Sequence, residues 1–328
     1  MIIPSAETLV RLQRRWPFGL EALETVVRLR EVLRAVSEDA LLSNRLALKG
    51  GTALNLCFGP LPRLSVDLDF NDIGQANRSD AMADRPAVLE AIERIGRRGG
   101  YRVQRSREEH AGQKLYLRYD SVLGGQRRIE VDVNFLHRLP LAPPRKRRVW
   151  APGDDAAVRC LVVAPAELLA GKMLALLDRA APRDLFDITH LPPRLQKTFH
   201  DTRARRTFIA LAGTLPHSLT KYGRQRFDRL VQRDVEQSLY PLLRQADRPT
   251  AAELRAQAWT VVEPWLTLSD AEREYAERLQ HGDFKPELLF PRDRKMIDRL
   301  ERHPALQWKL QNARLHATRG KNSSDLRK

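Results

Sequence analysis

The chain has 328 residues, room for one large domain or two smaller ones, and its 42% hydrophobic and 30% charged residues are ordinary for a soluble globular protein. A formal net charge of +16 favours a polyanionic partner, nucleic acid first and an acidic membrane surface second, over a cationic ligand that would want an acidic cleft. The two cysteines, Cys57 and Cys160, offer no disulfide framework and no zinc spacing, so a reducing cytoplasm is expected. The longest apolar stretch, residues 160–177, is interrupted by Glu167 and Lys172 and is too broken to span a bilayer, so no membrane partner is expected.

In chain order, residues 5–42 carry apolar positions at a 3.6 period and read as helical. Leu46–Leu48 is a short apolar run ended by Gly50-Gly51, and Thr52–Phe58 reads as a short helix closed by Gly59-Pro60. Leu64–Phe70 alternates strictly and is the clearest strand. A helix is expected over Arg85–Arg97, ended by Gly99-Gly100, then strands over Tyr101–Arg105, Lys114–Tyr119 and Arg128–Leu136. Residues 140–157 are rich in Pro and Arg around Arg145-Lys146-Arg147-Arg148 and read as an exposed linker, followed by a short strand at Cys160–Val163. From Pro165 the pattern is helical, over Pro165–Asp178, Arg183–Thr189 and on to about residue 315, with a frayed polar tail at Gly320–Lys328. The outline is α+β, a mixed N-terminal half before a helical one.

The alternation over residues 63–70 puts Leu64, Val66, Leu68 and Phe70 on a core face and Arg63, Ser65, Asp67 and Asp69 on the other. Two carboxylates two residues apart on one strand face, roughly 7 Å between Cα atoms, repel unless a cation neutralises them. A hard divalent ion completed by substrate phosphate oxygens is the chemistry such a pair suits, and two such ions clamp a phosphoryl displacement. Just upstream, Lys49-Gly50-Gly51-Thr52 reads as a strand-to-helix turn whose backbone N–H groups can cradle phosphate, with the Thr52 hydroxyl capping the helix or joining them. A third carboxylate comes from another alternating segment, where Glu130, Asp132 and Asn134 share the polar face. Spacing does not choose between Glu130 and Asp132; Asp132 is the more central. In the helical half, Lys172 lies among apolar residues, so its stem is packed and its ammonium is aimed at one place, where it can neutralise phosphate. Asp184 and Asp187 share a helical face, and Arg183 can pair with Asp187 four residues on.

Lys49-Gly50-Gly51-Thr52, Arg63-x-Ser65-x-Asp67-x-Asp69, Glu130-x-Asp132, and Lys172 followed by Arg183-Asp184-x-x-Asp187 together resemble the AbiEii/AbiGii toxin family, which includes the MenT toxins, within the polymerase-beta-like nucleotidyltransferases. The resemblance implies a mixed nucleotidyltransferase sheet flanked by helices, then a helical bundle: a catalytic domain over residues 1–150 and a mostly helical domain over 151–328 that completes the nucleotide pocket. It implies that Asp67, Asp69 and Asp132 hold two magnesium ions. Lys49, Gly50, Gly51, Thr52, Arg63, Ser65, Lys172 and Arg183 would bind the NTP, and Asp184 or Asp187 would supply the family's fourth motif. The implied activity is nucleotide transfer to RNA, at the 3′ end of tRNA, by a toxin with a cognate antitoxin. The sequence alone leaves open a protein or small-molecule acceptor, and an RNA-binding protein without turnover on the same scaffold.

Overall fold

In the computed structural model, residues 1, 3–59, 63–152 and 158–325 are described, with side chains through residue 315. Pro60, on which part of the expected helix stop falls, lies outside them. The N-terminal helical stretch is two helices, α1 (Ala6–Arg15) and α2 (Leu20–Glu38), broken where Pro17 and Gly19 interrupt the pattern. There follow β1 (Leu46–Lys49), α3 (Gly50–Cys57), β2 (Asp67–Asp72), α4 (Arg78–Arg98), β3 (Arg102–Arg105), β4 (Gly112–Asp120), β5 (Gln126–Asn134), β6 (Arg145–Val149) and β7 (Val158–Val162). All seven strands form one mixed sheet in the order β3-β4-β5-β2-β1-β7-β6, with β2–β5 and β1–β7 parallel and the other pairs antiparallel.

One face of the sheet is apolar and covered. Leu68, Phe70, Leu115, Leu117, Ile129, Val131 and Val133 are buried there. Thr25 of α2 hydrogen-bonds Tyr119 of β4 at 3.1 Å, and a Cβ on Gly96 of α4 would meet Val103 and Leu117, which places both helices on this face. The other face carries Lys49, Asp67, Asp69, Lys114, Glu130 and Asp132. Its inner strands are roofed by the helical half, beginning with α5 (Pro165–Arg179) and α6 (Pro182–Thr189). Behind these stand α7 (Pro193–Phe199), α8 (Thr202–Leu211), α9 (Gln232–Ser238), α10 (Ala251–Leu266), α11 (Asp270–Gln280), α12 (Arg294–Glu301) and α13 (Pro304–Asp325), joined by short 3-10 turns.

Three local expectations change. Arg145–Arg148, expected as a linker, is edge strand β6 against β7; its polar run hides the alternation because a basic edge strand blocks further pairing. Regular pairing in the acidic strand starts at Asp67, and residues 63–64 join the helical half instead, through an Arg63–Leu243 bridge and a Leu64 N–H to Leu242 carbonyl bond of 2.8 Å. The expected frayed tail continues as α13 through Asp325.

Candidate active site

A cleft of about 680 Å³ opens between the polar sheet face and the helical half. Its floor is a row set by strand register: Lys49 opposite Asp69, Asp69 level with Asp132, Asp132 opposite Lys114. The next row outward pairs Asp67 with Glu130. Register thus supplies what spacing could not: Asp132 stands beside Asp69, whereas the Glu130 carboxylate is taken by the Lys114 ammonium. Burial pushes the Asp67 carboxyl above its usual range, with Asp69 adding repulsion and Arg183 opposing it through a 2.9 Å ion pair. Burial raises Asp132 likewise, against the pull of Lys49 and with repulsion from Asp69. Carboxylates held above their ordinary range on adjacent strands gain most from a cation.

The turn beside them is built by two close approaches. Gly50 has φ of 67°, and a Cβ there would overlap the Asp69 carboxylate. A Cβ on Gly51 would lie 2.8 Å from Arg63 Nη2 and 3.0 Å from Ser65 Oγ. The helix that follows has no side-chain cap, and Gly50 and Gly51 at its start line the cleft, which leaves its first N–H groups available to an anion. Thr52 does not join them. It is fully buried, and its hydroxyl bonds Ser65 Oγ at 2.9 Å and the Asp67 carbonyl, fixing α3 to the acidic strand.

Under the roof, along the cleft wall, lies a cluster of paired charges. Arg63 grips Asp187 with Nε and Nη2 at 2.5 and 2.6 Å, and Lys172 Nζ lies 2.7 Å from Asp187 and 3.0 Å from Asp184. Arg179 closes on Asp184 at 2.6 Å. Burial opposes every charge here, but the pairing wins: Arg63 and Lys172 are held above their ordinary values and Asp184 and Asp187 below. The Lys172 ammonium is therefore committed to two carboxylates rather than to the open cleft. Arg183 turns to Asp67 instead of to Asp187, and Asp187 takes Arg63 from 124 residues away. Spacing along one helix held no sign of either pairing.

Several cleft residues escaped the sequence reading. Asn71 continues the face of residues 63, 65, 67 and 69, and its Oδ1 is buried without a hydrogen-bond partner; the same alternation, carried one step further, points to it. Lys114 is found only through pairing with β5. His137, pushed down to about 4 by burial and by Lys49, packs edge-on to His303 at 5.2 Å, and no pattern marks it. Among the described residues no group of three or more His, Cys, Asp and Glu side chains is placed to hold a metal ion by itself. The open carboxylates and the orphaned Asn71 oxygen make an oxygen-only donor set, which fits a hard divalent ion whose remaining ligands come from substrate phosphate.

A mixed sheet bearing two aligned acidic strands, with an uncapped Gly-Gly turn at their side, defines a nucleotidyltransferase, a class whose members use an NTP and a divalent metal. Residues 31–312 match the family described as "Nucleotidyl transferase AbiEii toxin, Type IV TA system", and the chain belongs to that family. It is a toxin nucleotidyltransferase, and the family implies an antitoxin partner. A search of curated protein sequences finds no match. The fold is similar to that of MenT4, a nucleotidyltransferase toxin from Mycobacterium tuberculosis H37Rv, with TM-score 0.62 and 23% identity over 90% of this chain and 98% of that one. JHP933 from Helicobacter pylori aligns at TM-score 0.46 and 15% identity over 80% of this chain and 97% of that one. Among the described residues no helix is long and apolar enough to cross a membrane.

Proposed function

We propose that this toxin transfers a nucleoside monophosphate from an NTP to RNA, at the 3′ end of tRNA, with magnesium and in the cytoplasm. The observation that carries the reading is the level placement of Asp69 and Asp132 beside the uncapped turn at Gly50 and Gly51. The net charge of +16 supports a polyanionic acceptor over a cationic small molecule.

In this reading the triphosphate lies against Lys49 and the N–H groups after Gly50, while Asp67 and Asp69 hold magnesium and Asp132 faces the acceptor. When bound, the ions neutralise charge on the phosphates and on the attacking oxygen. Asp132, its carboxyl held up by burial, accepts the acceptor hydroxyl proton. That oxygen bonds the α-phosphorus as the bond to pyrophosphate breaks. Arg183 and Ser65 line the triphosphate side. Arg63, Lys172, Asp184 and Asp187 act through the wall they build, which keeps the acidic strand in register with the helical half.

The test is incubation with each labelled NTP, magnesium and total tRNA. RNA should be labelled, and both chelation and periodate oxidation of the tRNA 3′ end should abolish the signal. Absence of label with all four NTPs, from folded protein, would overturn the RNA acceptor; label on periodate-treated tRNA would overturn the 3′ end.

A further inference from the structure

We propose that the polar face of β3, β4 and β5, exposed among the described residues beyond the cleft, is the track along which the acceptor RNA lies as its end enters the cleft. The proposal rests on the RNA reading above and adds to it where the strand runs. Sidedness comes first. The anion turn lies on the β1 side of the carboxylates and Asp132 on the β5 side. In-line displacement sets the attacking oxygen opposite the leaving pyrophosphate. With pyrophosphate at the turn, the acceptor arrives over β5 and β4.

Register then says which side chains it meets. Opposed residues share a face, so Lys114, Tyr116 and Arg118 of β4 stand with Arg128, Glu130 and Asp132 of β5, and Arg102 and Gln104 of β3 continue the row. Arg102, Gln104, Arg118 and Arg128 are exposed, whereas the opposite face of these strands is packed under α2 and α4. From Asp132 to Arg128 is four residues along one strand, about 13 Å. Arg118 and Arg128 have no ion-pair partner among the described residues, and the Arg128 guanidinium lies over the Tyr116 ring at 4.6 Å. Guanidinium groups without a carboxylate partner for phosphates, one of them laid over a ring and exposed so that a base can stack on its plane, are the chemistry of a single-stranded RNA track. Continuity with Asp132 and this charge complementarity commit the surface to RNA. The other basic run, Arg145–Arg148, lies on the opposite edge of the sheet, where Arg147 covers Phe58 at 4.2 Å.

The experiment measures binding of total tRNA to the full-length protein without NTP, across a salt series, together with the KM for tRNA in the labelling assay. Arg118→Glu with Arg128→Glu should raise the Kd and KM about tenfold and lower the salt slope by about 1.4–1.8, the loss of two phosphate contacts. NTP binding should stay at the wild-type value. Arg145→Glu with Lys146→Glu, the same change of charge on the far edge, should leave Kd and KM within about twofold. Should the double Glu variant fold poorly, Arg118→Gln with Arg128→Gln reads the same slope. Wild-type Kd, KM and slope in the Arg118/Arg128 variants, while wild-type protein labels tRNA, would overturn the track alone. Equal losses from both pairs of substitutions would overturn it too, as a general effect of charge. A wild-type protein that labels a protein or small molecule and no RNA would instead remove the RNA reading and the track with it.

Discussion

Two groups of charged residues sit a few ångströms apart in this molecule, and they are built on opposite principles. The row of Asp67, Asp69 and Asp132 is open to the cleft and under-neutralised: the Asp67 side chain is 38% exposed, and burial holds it and Asp132 above the usual carboxylate range. The cluster of Arg63, Lys172, Arg179, Asp184 and Asp187 is closed by its own pairs, three cations against two anions, with both carboxylates fully buried. The same residue types are a poised ligand site in one place and a mechanical joint in the other. What separates them is whether the chain itself supplies the partner charge.

That contrast can be broken by substitution. Asp69→Ala should lower nucleotide transfer at least about a thousandfold while thermal unfolding stays near wild type, because it removes repulsion rather than a paired charge. A large fall in the unfolding midpoint would show that the open row is structural after all. Asp187→Ala should have the next largest effect, costing on the order of 3–5 kcal/mol in urea unfolding, since it leaves Arg63 and Lys172 buried against one remaining carboxylate. Wild-type stability with lost activity would move Asp187 from the joint to the chemistry. Gly50→Ala sharpens the boundary. Its positive φ costs about 1–2 kcal/mol, and the added methyl displaces the Asp69 carboxylate, so transfer should fall far more than stability does. Unchanged transfer would mean that Asp69 does not act from the position seen here.

Acid should separate the two regions by sign, with the smallest effect. Asp184 and Asp187 are held below their ordinary values, so their contribution is complete above the unfolded carboxylate range, near pH 4, and is lost as pH falls through their folded values. Asp67 and Asp132, held above, contribute the other way: protonation relieves them, and that stability disappears as pH rises through their folded values. Wild-type stability measured by urea unfolding should therefore drop below about pH 4. The drop should be shallower in Asp187→Ala; an identical slope in both proteins would place the acid-sensitive groups elsewhere.

These two regions also differ in how far they could be read from residues alone. The open row was legible because β2 and β5 are central strands: one face meets the core and the other the cleft, so alternation is strict and the polar positions stand out. The turn at Gly50-Gly51 was legible for a related reason, since only glycine tolerates those approaches. The closed joint was not. Its contacts link residue 63 to 187 and 67 to 183, and helical spacing offered the nearer pairing of Arg183 with Asp187, which the fold declines. Edge strand β6 escaped notice because four consecutive basic residues carry no period, and its strand identity comes only from β7 beside it. Thr52 shows the same limit within a motif: its place beside the glycines was read correctly, while the direction of its hydroxyl depended on a neighbour thirteen residues away.

The bridge from Arg63 to Leu243 has a consequence for the order in which the molecule is made. The strand that carries Asp67 and Asp69 is anchored at its start by a partner 180 residues later, and its roof is locked by Asp187. A ribosome emits both partners well after the strand itself. A nascent chain shorter than about 243 residues has its acidic residues but lacks the clamp that sets them, so the enzyme assembles only once most of it has been synthesised.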